Sequence, residues 1–132
     1  YLTYDAYLAP YQTTTSTPRP MQAVVKHADL VGAVPGAFTE LNRGTSGDAR
    51  GSSQNGLTAE FFGDYVYAVA TRTYGSAVWN DARNEADCPA IDAFRAGIEA
   101  GTSPTRPAPN SDCPANFGNS DIYGGSYLDP TP

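Results

Sequence analysis

Five residues around one short stretch carry groups that could do chemistry: Asp64, Tyr65, Asn80, Asp81 and Arg83. A carboxylate such as Asp64 can ligate a hard cation, calcium being the example, or accept bonds from sugar hydroxyls. The plainer reading, and the preferred one, is a turn carboxylate that accepts backbone N–H bonds. Asp81 and Arg83 lie two apart, so on an extended strand they point the same way. They could grip a polar ligand together. The preferred reading is a clamp on the turn after the strand, made of charge-assisted hydrogen bonds. Trp79 could stack on a sugar, but a lone Trp on a strand reads first as core. Asp121 and Tyr123 read as the start of another strand.

Other chemistries find no set of residues. His27 is the only histidine, and its mid-strand place among charged neighbours predicts a surface residue. Serine hydrolase chemistry would need that imidazole beside a serine. One histidine and two separated cysteines do not make a zinc site, and no glycine-rich phosphate loop of either common spacing occurs. The formal net charge of −6 argues against a nucleic-acid partner, whose backbone calls for a basic surface. No apolar run approaches the roughly 20 residues of a membrane span. Calcium at Asp64 is therefore the one cofactor suggested.

The elements that must position these groups read as strands. Residues 65–72 alternate and are rich in Tyr, Val and Thr, which suit a pleated, half-buried surface. Gly75 supplies a residue free to take positive φ in a tight turn, and residues 76–81 form the returning strand. Upstream, 21–31 contains a strand, 34–36 a turn and 37–43 a second strand. Residues 44–56 form a long polar loop, and 84–119 a second long insertion. One short helix fits inside the insertion, with Asp87 as its cap, Pro89 in its first turn, and Ile91, Phe94 and Ile98 on one face. Gly101 ends it. Residues 122–128 form a last strand, weakened by Gly124 and Gly125. With 13 Gly and 11 Pro in 132 residues, turns and loops are favoured over helices. The expected class is all-β and antiparallel, because the βαβ alternation of a parallel sheet is missing. A meander of this order puts the turn at 73–75 at one end of the sheet and both long loops at the other. The candidate residues sit at the loop end.

Cys88 and Cys113 lie 25 apart, each followed by Pro. They suit a disulfide formed in an oxidising, extracellular compartment, in preference to two free thiols. The chain begins at Tyr1 with no signal-like segment, which predicts processing from a longer precursor.

The runs FFGDY, AVWNDARN and FGNSDIYGGSY together resemble a blade of the sialidase-like β-propeller superfamily. The resemblance covers residues 57–127, with a weaker extension back to Ala37. It departs from the family in lacking a full S-x-D-x-G-x-x-W box. The arginine triad, Tyr–Glu pair and acid Asp of sialidases find no place here, so no catalytic residue is carried over. A propeller ring needs about four to eight blades of about 40–50 residues each. The resemblance therefore implies an incomplete propeller: residues 1–20 an extended lead-in, 21–56 part of a preceding blade, and 57–132 a final blade bearing the 84–119 insertion. A second chain or segment of the same precursor would complete the ring. Alone, the chain should expose Val66, Ala68, Val69 and Val78. The implied function is a secreted glycoside hydrolase acting on glycans. The alternative is a non-catalytic propeller that binds a glycan or a protein. A small self-standing β-sandwich is the third reading.

Overall fold

The computed structural model describes residues 1–10, 16–63 and 65–131. In chain order its elements are β1 (Leu2–Tyr7), β2 (Pro20–His27), β3 (Leu30–Val31), β4 (Val34–Pro35), β5 (Thr39–Arg43) and β6 (Gly47–Asp48). A 3-10 turn (Ala49–Gly51) follows, then β7 (Tyr67–Ala70), β8 (Tyr74–Asp81), α1 (Pro89–Glu99), α2 (Pro109–Asp112) and β9 (Asp121–Leu128). The described residues thus form mostly antiparallel sheet with two short helices. No helix among the described residues is long and apolar enough to cross a membrane.

Two sheets carry the fold. In the first, β2 lies between β1 and β5, and its first residues also pair with β6. In the second, β8 lies between β7 and β9. The sheets meet face to face. Ala23 and Val25 of β2 pack on Ala77 and Trp79 of β8, and Tyr1, Leu41, Val66, Tyr123 and Tyr127 close around them. The alternation of β8 explains which side faces in: Gly75, Ala77 and Trp79 are buried while Val78 between them is exposed. A second cluster, Leu57, Cys88, Ile91 and Phe94, seats α1 on the loop before β7.

Several expectations change. Leu2–Tyr7, within the lead-in, is a strand that pairs with β2 along its whole length. Residues 34–36 do not form a turn: Val34–Pro35 pairs with Leu30–Val31 in a small hairpin. The turn between β7 and β8 does not rest on Gly75, which has no positive φ and sits inside β8 opposite Ala70. Thr71 makes that turn. Its Oγ1 accepts from the N–H of Thr73 and Tyr74, and its own N–H donates to the Tyr74 carbonyl. Gly75 is needed for another reason: a Cβ there would stand 2.6 Å from the Tyr1 ring.

His27 is not a surface residue. It is 6% exposed, because strand β2 turns it inward beside the Tyr1 ring. Asp87 does not cap α1; Cys88 is the N-cap and makes no side-chain cap bond. The Asp87 carboxylate is drawn instead to Arg50, 3.0 Å away. Ile91 and Phe94 face the core, while Ile98 is exposed near the helix end. The Gly101 N–H closes the last turn on the Ile98 carbonyl.

Cys88 and Cys113 form a disulfide, with Cα atoms 5.1 Å apart. It joins the start of α1 to the end of α2. The segments 44–63 and 82–120 come together at one end of the two sheets, and the β7–β8 turn lies at the other. The approach is close: a Cβ at Gly47 would overlap the Ala82 carbonyl.

Candidate functional site

The loop end is built around three buried arginines that bind three segments of chain together. Arg50, on the 3-10 turn, is held by Asp48, whose Oδ1 also accepts the Arg50 N–H and so caps the turn. Its Nε and Nη2 grip the Asp48 carboxylate, with Nη2 2.8 Å from Oδ2. Its Nη1 reaches Asp92 of α1 at 3.0 Å and the Ser16 carbonyl at 2.9 Å. This side chain is fully occupied and reads as a tie. Burial pushes the Asp48 carboxyl up, but hydrogen bonds from Arg50 and the Arg19 N–H outweigh it and hold the group below the usual range. Asp92 goes the other way. Burial, with the nearby Asp87 charge adding to it, raises it to about 6.

Arg19 and Arg95 line a cavity of about 430 Å³. Tyr7, Glu60, Phe61 and Phe62 form other parts of its wall. Arg19 comes from the segment just before β2, where its backbone N–H is fixed on Asp48. Its guanidinium is ion-paired with Glu60. Arg95 stands on the inner side of α1, one turn beyond Ile91. Its Nε donates to the Leu57 carbonyl, and its Nη2 to the Ser52 carbonyl and Ser53 Oγ, each at 3.1 Å. Its Nη1 is buried with no hydrogen-bond acceptor among the described residues. The Glu60 Oε1 atom is 3.8 Å from it, too far for a hydrogen bond. Burial pulls the Arg95 pKa down, the proximity of Arg19 adding to this, yet a guanidinium this basic stays charged. The cavity therefore offers a fixed cationic donor beside three aromatic rings and a carboxylate.

Of the residues singled out in the sequence, Tyr65, Asn80, Asp81 and Arg83 lie elsewhere at the same end. Asp64 is outside the described residues, so calcium at that position has no structural account. Tyr65 is exposed. Asn80 is buried, with its amide toward the Gly63 carbonyl. Asp81 accepts the Arg83 N–H at 2.9 Å, both ends of the Arg83 guanidinium and the Trp79 indole N–H. Burial raises the Asp81 carboxyl, but these bonds outweigh it and hold it below the usual range. The Arg83 guanidinium then lies over the Tyr123 ring, 3.9 Å from its centre. Asp81 and Arg83 thus close the end of β8 upon β9, and neither lines the 430 Å³ cavity.

Arg19, Glu60 and Arg95 escaped the sequence reading. Arg19 is surrounded by prolines and threonines that read as lead-in. Glu60 precedes the aromatic stretch that drew attention. Arg95 did leave a signal: it falls four residues after Ile91 and beside Phe94, so an arginine interrupts the buried stripe of the helix. Buried arginines are kept only with partners, so such a position points to a built polar site.

Comparison with family models, curated proteins and solved structures finds no match to this chain.

Proposed function

We propose that the chain forms two adjoining blades of a sialidase-like β-propeller, and that its loop end supplies one wall of a glycan cleft. The blade reading is supported by the stacking of two antiparallel sheets face to face and by the other side of the second sheet. There Tyr67, Val69, Val78, Ile122 and Leu128 form an exposed apolar face. A following blade would cover it. The disulfide fits an oxidising, extracellular compartment.

One observation carries the ligand: Arg95 Nη1, on a residue of the cavity wall, has no hydrogen-bond acceptor among the described residues and stands 3.8 Å from Glu60 Oε1. A carboxylate-bearing sugar would give that N–H its acceptor, because guanidinium and carboxylate match in shape and charge. The exposed rings of Phe61 and Tyr7 offer flat apolar surface to a sugar ring. The reaction class is hydrolysis of a glycosidic bond, which typically needs two groups flanking that bond; none is assigned within this chain. The second reading, binding without turnover, is favoured by the Arg19–Glu60 ion pair. That pair holds Glu60 as a counter-ion rather than as a free acid or base.

Calorimetric titration with N-acetylneuraminic acid, against neutral N-acetylglucosamine as control, tests the site. Saturable binding of the acidic sugar alone, weakened by about tenfold or more in Arg95→Gln, is expected. Equal affinity for both sugars, or none for either, would remove the proposal. Release of fluorophore from a sialoside separates the hydrolase from the binding module.

A further inference from the structure

The opposite end of the molecule holds a second polar group, made of His27, Asp29 and Asp129. We propose that these three side chains form a binding site for a divalent transition ion of the zinc type, bridging the ends of the two sheets. The proposal is independent of the glycan reading.

The donors converge from three points of the chain. His27 is the last residue of β2, Asp29 lies in the segment before β3, and Asp129 follows β9 directly. One donor atom from each falls within 4.8 Å of the others. The His27 Nε2 atom lies 3.4 Å from Asp129 Oδ1 and 3.6 Å from Asp29 Oδ1. These separations exceed the normal hydrogen-bond range of about 2.7–3.2 Å. They are close to the roughly 3.3–3.4 Å that separates neighbouring ligands placed about 2.0–2.1 Å from a tetrahedral zinc. The imidazole is 6% exposed, and its Nε2 faces both carboxylates. A buried imidazole nitrogen set between two carboxylate oxygens at this spacing has the donor arrangement that a small divalent ion needs.

The ligand type selects the metal. One imidazole nitrogen with two carboxylate oxygens suits zinc and neighbouring first-row ions. Calcium and magnesium prefer an all-oxygen shell. The surroundings hold the donors in place. The Tyr1 ring meets the His27 ring edge-on at 5.3 Å between centres. The Thr131 N–H donates to Asp129 Oδ1 at 2.9 Å, and the Thr131 hydroxyl donates to Asp29. The Asp129 N–H is fixed on the Thr73 carbonyl in the β7–β8 turn. Such outer contacts orient ligands and are a regular part of metal sites. A hollow of about 280 Å³, lined by Tyr1, His27, Asp29 and Asp129 among others, leads to the site. Asp29 is 57% exposed, so an ion has a path in and a fourth position is left for water. A bound ion would join the end of β2 to the end of β9, opposite the disulfide.

The competing arrangement is the His27 ring held between the two carboxylates with no ion. Dialysis against chelator, followed by calorimetric titration with zinc chloride near neutral pH, separates them. One equivalent of saturable zinc binding is expected, with an upward shift in the thermal midpoint and no such response to calcium or magnesium. His27→Gln should abolish both effects. Asp29→Asn, at an exposed position, should weaken zinc binding at least tenfold while near-UV circular dichroism shows the metal-free protein still folded. Cobalt at the same site should give the strong visible bands of a four-coordinate ion, displaced by zinc. Absence of saturable zinc binding, or zinc binding unchanged in both variants, would overturn the proposal.

Discussion

Single residues decide two matters on opposite sides of the core. Gly75 is a strand residue whose missing side chain makes room for the Tyr1 ring. Gly75→Ala should therefore cost roughly 1–3 kcal/mol through overpacking. Because the clash is with one ring, Tyr1→Ala should recover part of that cost, and a double-mutant cycle in urea measures the coupling. Additive losses would show that Gly75 serves something other than Tyr1. Glu85 sets a pH dependence. Burial, with the charges of Asp48, Asp121 and Asp81 adding, pushes its carboxyl up to about 8. The folded protein then holds a proton that the unfolded chain releases at the ordinary Glu value. This contribution is complete below that ordinary value and is lost as pH rises through about 8. Asp92, raised to about 6, acts in the same direction over a lower window. Urea midpoints should accordingly fall from about pH 6 to about pH 8, and Glu85→Gln should flatten that fall. A parallel decline in the variant would sink the assignment.

At the scale of elements, the insertion is held by two different devices. The Cys88–Cys113 disulfide closes a loop of 25 residues around α1 and α2. Replacing both cysteines by Ala should cost about 3 kcal/mol, mainly by freeing the unfolded chain. Hydrogen exchange should speed up in α2 before the two sheets, and uniform acceleration would argue against a local clasp. Arg50 is the other device, joining the 3-10 turn to α1. Arg50→Met removes one cation from among Asp48, Asp87 and Asp92 and leaves those carboxylates without their counter-charge. The expected loss is about 3–5 kcal/mol, larger than that of the disulfide pair. Comparable unfolding midpoints for Arg50→Met and the parent protein would rule out the tie.

For the whole molecule, the outer face of the β7–β8–β9 sheet decides behaviour in solution. Of the residues expected to be exposed, Val69 and Val78 lie on that face, while Val66 packs against the core between the sheets. A chain of 13.9 kDa with this apolar face uncovered should self-associate and bind hydrophobic dyes. Tyr67→Lys with Val69→Glu should suppress both without lowering the unfolding midpoint, since neither side chain supports the core. Light scattering of the two forms provides the comparison. A monodisperse monomer of the parent chain would favour a self-standing sandwich over a blade.

How much was legible follows from which forces are local. The Tyr-, Val- and Thr-rich stretch at 65–72, the polar loops, the proline-led helix and the spaced cysteines are written in neighbouring residues. They gave the all-β class, the helix and the disulfide without tertiary information. Trp79 in the core followed from its being a lone Trp on a strand. The rest depended on partners far apart in sequence. β1 has little identity of its own and becomes a strand by pairing with β2. His27 looked exposed because its neighbours in sequence are charged, whereas Tyr1 and Asp129, each about 26 or 100 residues away, bury it. Arg19, Glu60 and Arg95 become one cavity wall only when α1 docks beside the segment before β2. A sequence fixes the local conformation each stretch prefers; which distant groups then share a low-dielectric interior is decided by packing, and so are the charges that can be kept there.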